Sequence, residues 1–260
     1  MKLDRKLYVF DMDGTIYLGD RVFPFAVDYI KGLRASGRRV LFFTNNASKN
    51  KSVYYDRLTR MGFEPREGEI MTSGDVTIRF LKEHRPGKSV FLLGTRSLKN
   101  SFREAGIKLS RSADIVVSSF DTELTYKALE RACTLIRGGA EYLCTHPDFN
   151  CPTETGFIPD SGAIAAAITA STGVVPRYFG KPYADTAEMI LSYTETEARD
   201  ACIFGDRLYT DIALGKNSGM TAVLVLTGET RREDLENVTP EKLPDIVIGS
   251  IADLTVPGRI

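Results

Sequence analysis

Leu7-Tyr8-Val9-Phe10-Asp11-Met12-Asp13-Gly14-Thr15-Ile16-Tyr17 is the stretch whose reading decides the fold. Leu7 to Phe10 is short, apolar, β-branched and aromatic, and it stops at a charged turn, so it reads as a strand. Two carboxylates follow, two residues apart, with Gly14 behind them to let the chain bend without a Cβ penalty. An Asp-Gly turn is ordinary when it stands alone. Here three further apolar runs end the same way.

Val40-Leu41-Phe42-Phe43 is followed by Thr44-Asn45-Asn46, Arg177-Tyr178-Phe179 by Gly180-Lys181-Pro182, and Ala201-Cys202-Ile203-Phe204 by Gly205-Asp206-Arg207-Leu208-Tyr209-Thr210-Asp211. Ligands of an open parallel sheet bind at the carboxyl ends of its strands, so four such ends would converge on one crevice. In this order the clusters resemble the four motifs of the haloacid dehalogenase superfamily of phosphatases: DxDGT, a lone Thr or Ser, a Lys, and GDxxxxD. Asp13 to Gly19, Phe42 to Asn46 and Gly180-Lys181-Pro182 are similar to the NagD-like, 4-nitrophenylphosphatase branch, subclass IIA. The motifs run from residue 11 to residue 211, nearly the whole chain.

The 260 residues exceed one typical domain, 43% are apolar and 26% charged, an ordinary globular balance. Thirty-four basic and thirty-four acidic side chains cancel, which argues against a broad footprint for nucleic acid or an anionic membrane. A small phosphate ester needs only a local field. The longest apolar run, Ala163 to Ile168, is far short of the roughly 18 residues of a membrane span. The start, Met1-Lys2-Leu3-Asp4-Arg5-Lys6, leaves no room for a signal peptide before Asp11, so the cytoplasm is the expected compartment. Cys133, Cys144, Cys151 and Cys202 form no C-x-x-C pair and read as reduced, buried thiols. Asn46-Ala47-Ser48 and Asn237-Val238-Thr239 then match the glycosylation pattern by chance.

Strand-like and helix-like stretches alternate along the chain, which predicts a parallel sheet with right-handed crossovers. A loop is expected over 16–24, helices over 25–35, 48–61 (capped by Ser48) and 75–84, and a strand at 40–43. The rhythm restarts with strands at 89–93, 115–118 and 141–145, helices at 96–105 and 124–137, a polar loop over 145–161 and a small-residue helix over 162–171. It resumes with helices 185–193 and 210–218 and strands 201–204, 222–226 and 246–248. No motif falls between 47 and 180. The expected fold is therefore α/β: a Rossmann-like doubly wound parallel-sheet core over 1–79 and 179–260, with a smaller α/β domain over 80–178 inserted where the resembled subclass carries its cap.

Phosphate monoester hydrolysis needs accelerations of up to ~10²¹, and an aspartate nucleophile splits it into two easier steps. The resemblance assigns that nucleophile to Asp11 and the general acid–base to Asp13. Asp206 would bring a third carboxylate to the crevice, and like charges about 4 Å apart repel by roughly 4 kcal/mol at an effective dielectric near 20. With a dianionic phosphate added, the site needs a cation, and oxygen-only ligands beside phosphate point to Mg²⁺. The resemblance implies ligation by Asp11, the backbone carbonyl of Asp13 and Asp206, with Asp211 in support. Asp211 reads equally as a carboxylate at a helix N-terminus. Lys181 and Thr44 would hold phosphate oxygens, with Asn45 and Asn46 extending the cradle through backbone N–H groups at a helix-start loop. Arg207 steadies either the metal-side loop or only the fold.

In the cap, Thr145-His146-Pro147-Asp148-Phe149-Asn150-Cys151-Pro152 follows a strand and is rich in residues that fix loop shape. It is expected to be a specificity loop, with Asp148 first as a contact for the leaving group, while His146 reads either as a second contact or as a structural histidine. Family members usually carry Asn where this chain has His146. The partner expected is a small phosphorylated metabolite, such as a sugar phosphate or a phosphoglycolate-like monoester, and a homodimer through the cap is a further expectation. No G-x-G-x-x-G follows any strand, and Gly87-Lys88-Ser89 is a P-loop tail with Lys82 at the first Gly position. A phosphotransferase or mutase on the same core, or a phosphate-binding regulator without turnover, remain as alternatives to the Mg²⁺-dependent phosphatase.

Overall fold

β1 (Leu7–Phe10) is buried along its whole length, which is what a continuous apolar run becomes when a parallel sheet is covered on both faces. The computed structural model describes residues 1–153 and 156–258; Glu154, Thr155, Arg259 and Ile260 lie outside the described residues. After β1 come a short hairpin of β2 (Tyr17–Leu18) and β3 (Arg21–Val22), then α1 (Ala26–Ala35), β4 (Arg39–Thr44), α2 (Lys51–Arg60) and β5 (Ile70–Thr72). Next are α3 (Ser73–His84), β6 (Val90–Leu93), α4 (Arg96–Glu104), β7 (Ile115–Ser118), α5 (Tyr126–Arg137) and β8 (Glu141–Cys144). A second hairpin, β9 (Asn150–Thr153) and β10 (Gly156–Pro159), leads to α6 (Ser161–Thr172) and β11 (Arg177–Tyr178). The chain ends with α7 (Ala184–Tyr193), β12 (Ala201–Gly205), a π-helical turn at Leu208–Ile212, α8 (Ala213–Ser218), β13 (Thr221–Val225) and β14 (Ile246–Ile248), separated by short 3-10 turns.

Two compact units result. The first comprises Met1–Thr44, Tyr54–Met71 and Lys181–Ile260; the second comprises Asn45–Val53 and Thr72–Gly180. The first unit carries the six-stranded sheet in the order β14-β13-β12-β1-β4-β5, with β1 parallel to both β4 and β12. The chain builds outward from β1 through β4 and then, after β11, from β12 through β13, so the order switches between β1 and β12, where such sheets place their ligand crevice. Its core stacks Phe10 on Phe204 with ring centroids 4.7 Å apart, and Phe42 and Tyr8 extend the layer. Each such buried ring contributes roughly 1.5–3 kcal/mol relative to leaving it exposed. That packing fixes the strand ends from which the acids project.

The second unit has its own parallel sheet, β11-β8-β7-β6, over a core that includes Val116, Ile136, Tyr142, Ile164 and Ile168. Its helices start on side-chain caps: Thr95 accepts from the Leu98 N–H, Thr125 from the Ala128 N–H, and Thr72 and Asp75 form a reciprocal capping box at α3.

Several sequence expectations change. The loop expected over 16–24 contains β2 and β3, and the one over 145–161 contains β9 and β10. Ser48 does not cap α2: its N–H and hydroxyl go to Asn46 Oδ1, and Asn50 Oδ1 accepts from the Val53 N–H instead. Asn45 and Asn46 belong to the loop that precedes α2. β11 pairs with β8, so the strand before Lys181 belongs to the second unit's sheet and not to the six-stranded one. The unit boundary falls at Thr72 and Gly180, where the sequence suggested 80 and 178, because α3 packs Phe80 on Phe179 at 4.9 Å. The segment 45–53 is held in the second unit by bonds from Thr95 Oγ1 to the Ser48 carbonyl (2.6 Å) and from the Asn50 N–H to Ser97 Oγ (2.9 Å).

Candidate active site

Adjacent strands of a sheet lie about 4.8 Å apart, so residues one step beyond β1 and β12 are forced together. Phe10 is in register with Phe204, and the Asp11 N–H donates to the Phe204 carbonyl at 2.8 Å. Asp11 and Asp206 thus leave neighbouring strand ends. Asp211 joins them from the π-helical turn, and a carboxylate oxygen of each lies within 4.8 Å of the others. Lys181 enters the same cluster, paired to Asp11 and to Asp211 Oδ1, the latter at 2.6 Å. The peptide bond from Lys181 to Pro182 is cis.

Three acids face one lysine, and all but Asp11 are closed off from solvent; Asp11 keeps 14% of its side chain exposed. Burial, reinforced by Asp211 and Asp206, pushes the Asp11 carboxyl up to about 8 in spite of Lys181. Burial and Asp211 likewise push Asp206 up to about 6. Burial alone would lower the Lys181 ammonium, yet the two carboxylates beside it hold its pKa above the usual value. Asp206 Oδ1 is buried and has no hydrogen-bond partner among the described residues. Such an atom costs about 1–3 kcal/mol unless something takes its lone pairs. An all-oxygen set with excess negative charge and one unsatisfied carboxylate oxygen fits a hard divalent cation.

Asp211 is 1% exposed, accepts from the Arg207 N–H at 3.3 Å, and sits in the π-helical turn before α8. Arg207 itself pairs with Glu229 at 2.9 Å. Thr44 closes β4 half-buried, and Asp13 is exposed just past Asp11, its backbone bridged to Tyr17. A fifth segment, outside the four motifs, also meets the cluster. Thr227 Oγ1 donates to the Gly14 carbonyl (2.7 Å), the Glu229 N–H to Asp206 Oδ2 (2.7 Å) and the Thr230 N–H to the Asp206 carbonyl (3.1 Å). A Cβ on Gly228 would lie 2.0 Å from Asp206 Oδ2 and one on Gly14 2.5 Å from it, so both positions need glycine. The signal was present: Thr227-Gly228 also follows an apolar strand.

The second unit holds a different polar cluster. His146 is fully buried, with Nε2 2.8 Å from Asp160 Oδ1 and Nδ1 3.0 Å from Thr145 Oγ1 and 3.3 Å from Ser73 Oγ. Asp148 is also buried, and both its oxygens face Asn45 Nδ2, at 3.2 and 3.4 Å. His146, Asp148 and Asp160 could be grouped as a metal site, but 2.8 Å between imidazole and carboxylate is hydrogen-bond length. Ser73 and Asp160 escaped the sequence reading, being 73 and 14 positions from the histidine they touch. Ser73 Oγ also donates to the Asn45 carbonyl.

Two family models match the chain: haloacid dehalogenase-like hydrolase over residues 8–108 and HAD-hydrolase-like over 178–254. Acid sugar phosphatase from Staphylococcus aureus is 35% identical over 234 residues, 89% of this chain and 90% of that one. The solved 4-nitrophenylphosphatase from Thermotoga maritima superposes with a TM-score of 0.91 at 40% identity, covering 95% of each chain. NagD from E. coli gives 0.90 at 25% identity, covering 98% of this chain and 100% of that one.

Proposed function

Since the chain belongs to the haloacid dehalogenase-like hydrolase family, we propose that it is a Mg²⁺-dependent phosphatase of small phosphorylated metabolites, sugar phosphates foremost. The observation that carries this reading is the Asp11–Asp206–Asp211–Lys181 cluster with its one unsatisfied carboxylate oxygen. The names of the relatives, acid sugar phosphatase and 4-nitrophenylphosphatase, support a phosphomonoester as substrate.

Asp11 is the nucleophile. It is the acid of the cluster that keeps some exposure, and Lys181 beside it favours the carboxylate that must attack phosphorus. The Asp11–phosphorus bond forms as the bond to the leaving oxygen breaks, and Asp13, exposed two residues on, gives that oxygen its proton. Asp13 then takes a proton from water, which attacks the aspartyl-phosphate and returns Asp11 and inorganic phosphate. Thr44 holds a phosphate oxygen, with Lys181 as the point charge. Asp11, Asp206 and the Asp13 carbonyl would hold Mg²⁺, with Asp211 in support; when bound, it supplies the positive charge that lets carboxylates and phosphate share one site.

Turnover of 4-nitrophenyl phosphate with and without Mg²⁺ tests the proposal. Activity is expected with Mg²⁺ and none in excess chelator. Full activity in chelator overturns the metal assignment, and no activity on a panel of sugar phosphates overturns the substrate class.

A further inference from the structure

β6 is the outer strand of the second unit's sheet, so one of its edges has no full strand beside it. Neighbouring residues of a parallel strand send their backbone groups to opposite sides. The Val90 N–H donates outward to the Lys108 carbonyl at 2.8 Å, and the Val90 carbonyl accepts from the Ser110 N–H at 2.9 Å. Leu92, two residues on, faces the same way. Its N–H and carbonyl take no hydrogen bond among the described residues. Backbone groups of this kind need water or a ligand.

A groove of about 360 Å³ lies along that edge, floored by Phe91, Leu92 and Leu93. Its volume falls in the range of small-molecule sites. Four cations rim it: Lys99 on α4, Arg111, and Lys127 and Arg131 on α5. None of the four forms an ion pair among the described residues, whereas Arg79, Arg85 and Lys88 of the same unit all do. Arg131 Nε donates to the Arg111 carbonyl at 2.7 Å, which ties α5 to the segment before β7. Asp121 and Glu123 also line the groove, but each already accepts a backbone N–H. Asp121 takes that of Glu123 at 3.0 Å, and Glu123 that of Arg96 at 3.2 Å. Burial also holds the Asp121 carboxyl above its ordinary value. The groove is left cationic.

We propose that this groove binds a small organic polyphosphate, two or three linked phosphates on a planar body. Arg111 and Arg131 offer the fork that takes two anionic oxygens at once, and Lys99 and Lys127 add point charges. Four cations on one groove match linked phosphates better than a single carboxylate. The apolar floor covers the body, and the Leu92 N–H and carbonyl give it one donor and one acceptor. Two other occupants fit worse. An extended protein segment would gain only the two bonds of Leu92, because Val90 already spends its edge on the 108–110 segment. A second copy would set four cations against four. The groove lies wholly within the second unit, and the proposal stands apart from the phosphatase reading.

The test titrates the full chain, its metal removed over a chelating resin, with adenosine triphosphate and with inorganic triphosphate. ¹⁵N spectra and calorimetry follow the binding. The Arg111 and Arg131 Nε–H signals should shift with both probes, and the Leu92 N–H with adenosine triphosphate. Arg111→Gln/Lys127→Gln, which removes two exposed charges, should raise Kd for adenosine triphosphate at least about tenfold with Tm unchanged. If Tm falls, Lys127→Gln alone replaces the pair and should raise Kd about threefold. Shifts confined to first-unit residues such as Asp11 and Lys181 overturn the site, and so does a Kd that neither variant changes. No binding in the wild type, with self-association of Arg111→Gln/Lys127→Gln in sedimentation, overturns it as well, and assigns the cations to guarding an open edge. Turnover of 4-nitrophenyl phosphate with Mg²⁺ reports separately on the Asp11 cluster and should be the same in wild type and variant.

Discussion

Two buried polar clusters, one in each unit, use similar residues to opposite ends. Around His146 the neighbouring groups are paired: Ser73 donates to the Asn45 carbonyl, Thr145 to Ser119, and Asp160 accepts from the Ser161 N–H. Around Asp11 the inventory stays open, with three acids against Lys181 and an Asp206 oxygen that takes no hydrogen bond among the described residues. A closed network rigidifies the fold, whereas an open one keeps binding energy in reserve for a cation and a phosphate. What separates the scaffold from the site is therefore the satisfaction of its buried groups, more than their identity.

The contrast breaks most visibly at Asp11. Asp11→Asn removes one of three mutually repelling charges, so kcat should fall by at least about a thousandfold while Tm stays within about 2 °C. A single-turnover assay and a melting curve check both, and retention of a tenth of the activity would defeat the covalent route. Asp206→Asn should act next. It keeps the shape but takes away a charge from the open cluster, so the Mg²⁺ concentration for half-maximal activity should rise by roughly tenfold or more. Isothermal titration with Mg²⁺ alone gives the same comparison without turnover.

In the closed cluster the same kind of change should cost stability. Asp148→Ala leaves the buried Asn45 amide facing an empty position, a loss of about 1–3 kcal/mol. For a chain of this size that lowers Tm by roughly 3–10 °C. The sequence suggested Asp148 as a contact for the leaving group. Comparing kcat/KM on a sugar phosphate and on 4-nitrophenyl phosphate sharpens the point, since loss on the sugar phosphate alone assigns Asp148 that role and equal loss on both assigns it to the fold. The smallest effect belongs outside both clusters. Lys6 and Asp200 pair at 2.7 Å with side chains 66% and 32% exposed, and Lys6→Ala should change stability by less than about 0.5 kcal/mol, measured by urea denaturation.

Much of the first cluster could be read in advance because its strands advertise themselves. β1, the Val40–Phe43 stretch of β4 and the Ala201–Phe204 stretch of β12 are apolar runs, and each gives way within two residues to a polar side chain. The two hairpins could not be read this way, since Tyr17–Leu18 and Arg21–Val22 are too short to show a period. Sequence order puts Lys181 at the end of a core strand because it does not say which sheet a two-residue strand joins; the pairing of β11 with β8 does. Ser73 and Asp160 were invisible for a different reason. They act through contacts across the second unit, and nothing local marks a serine whose importance lies in one carbonyl 28 residues away.

The chain passes between the two units at residues 44/45, 53/54, 71/72 and 180/181, so the second unit is rooted in the first twice over. Exchanging this unit with that of a relative is therefore not a matter of one cut and one splice. A chimaera that traded only 72–180 would part Ser73 from Asn45, Thr95 from Ser48 and Ser97 from Asn50, three bonds written by two stretches of gene. The second unit is inherited as a pair of segments, and the nine residues from 45 to 53 must travel with 72–180.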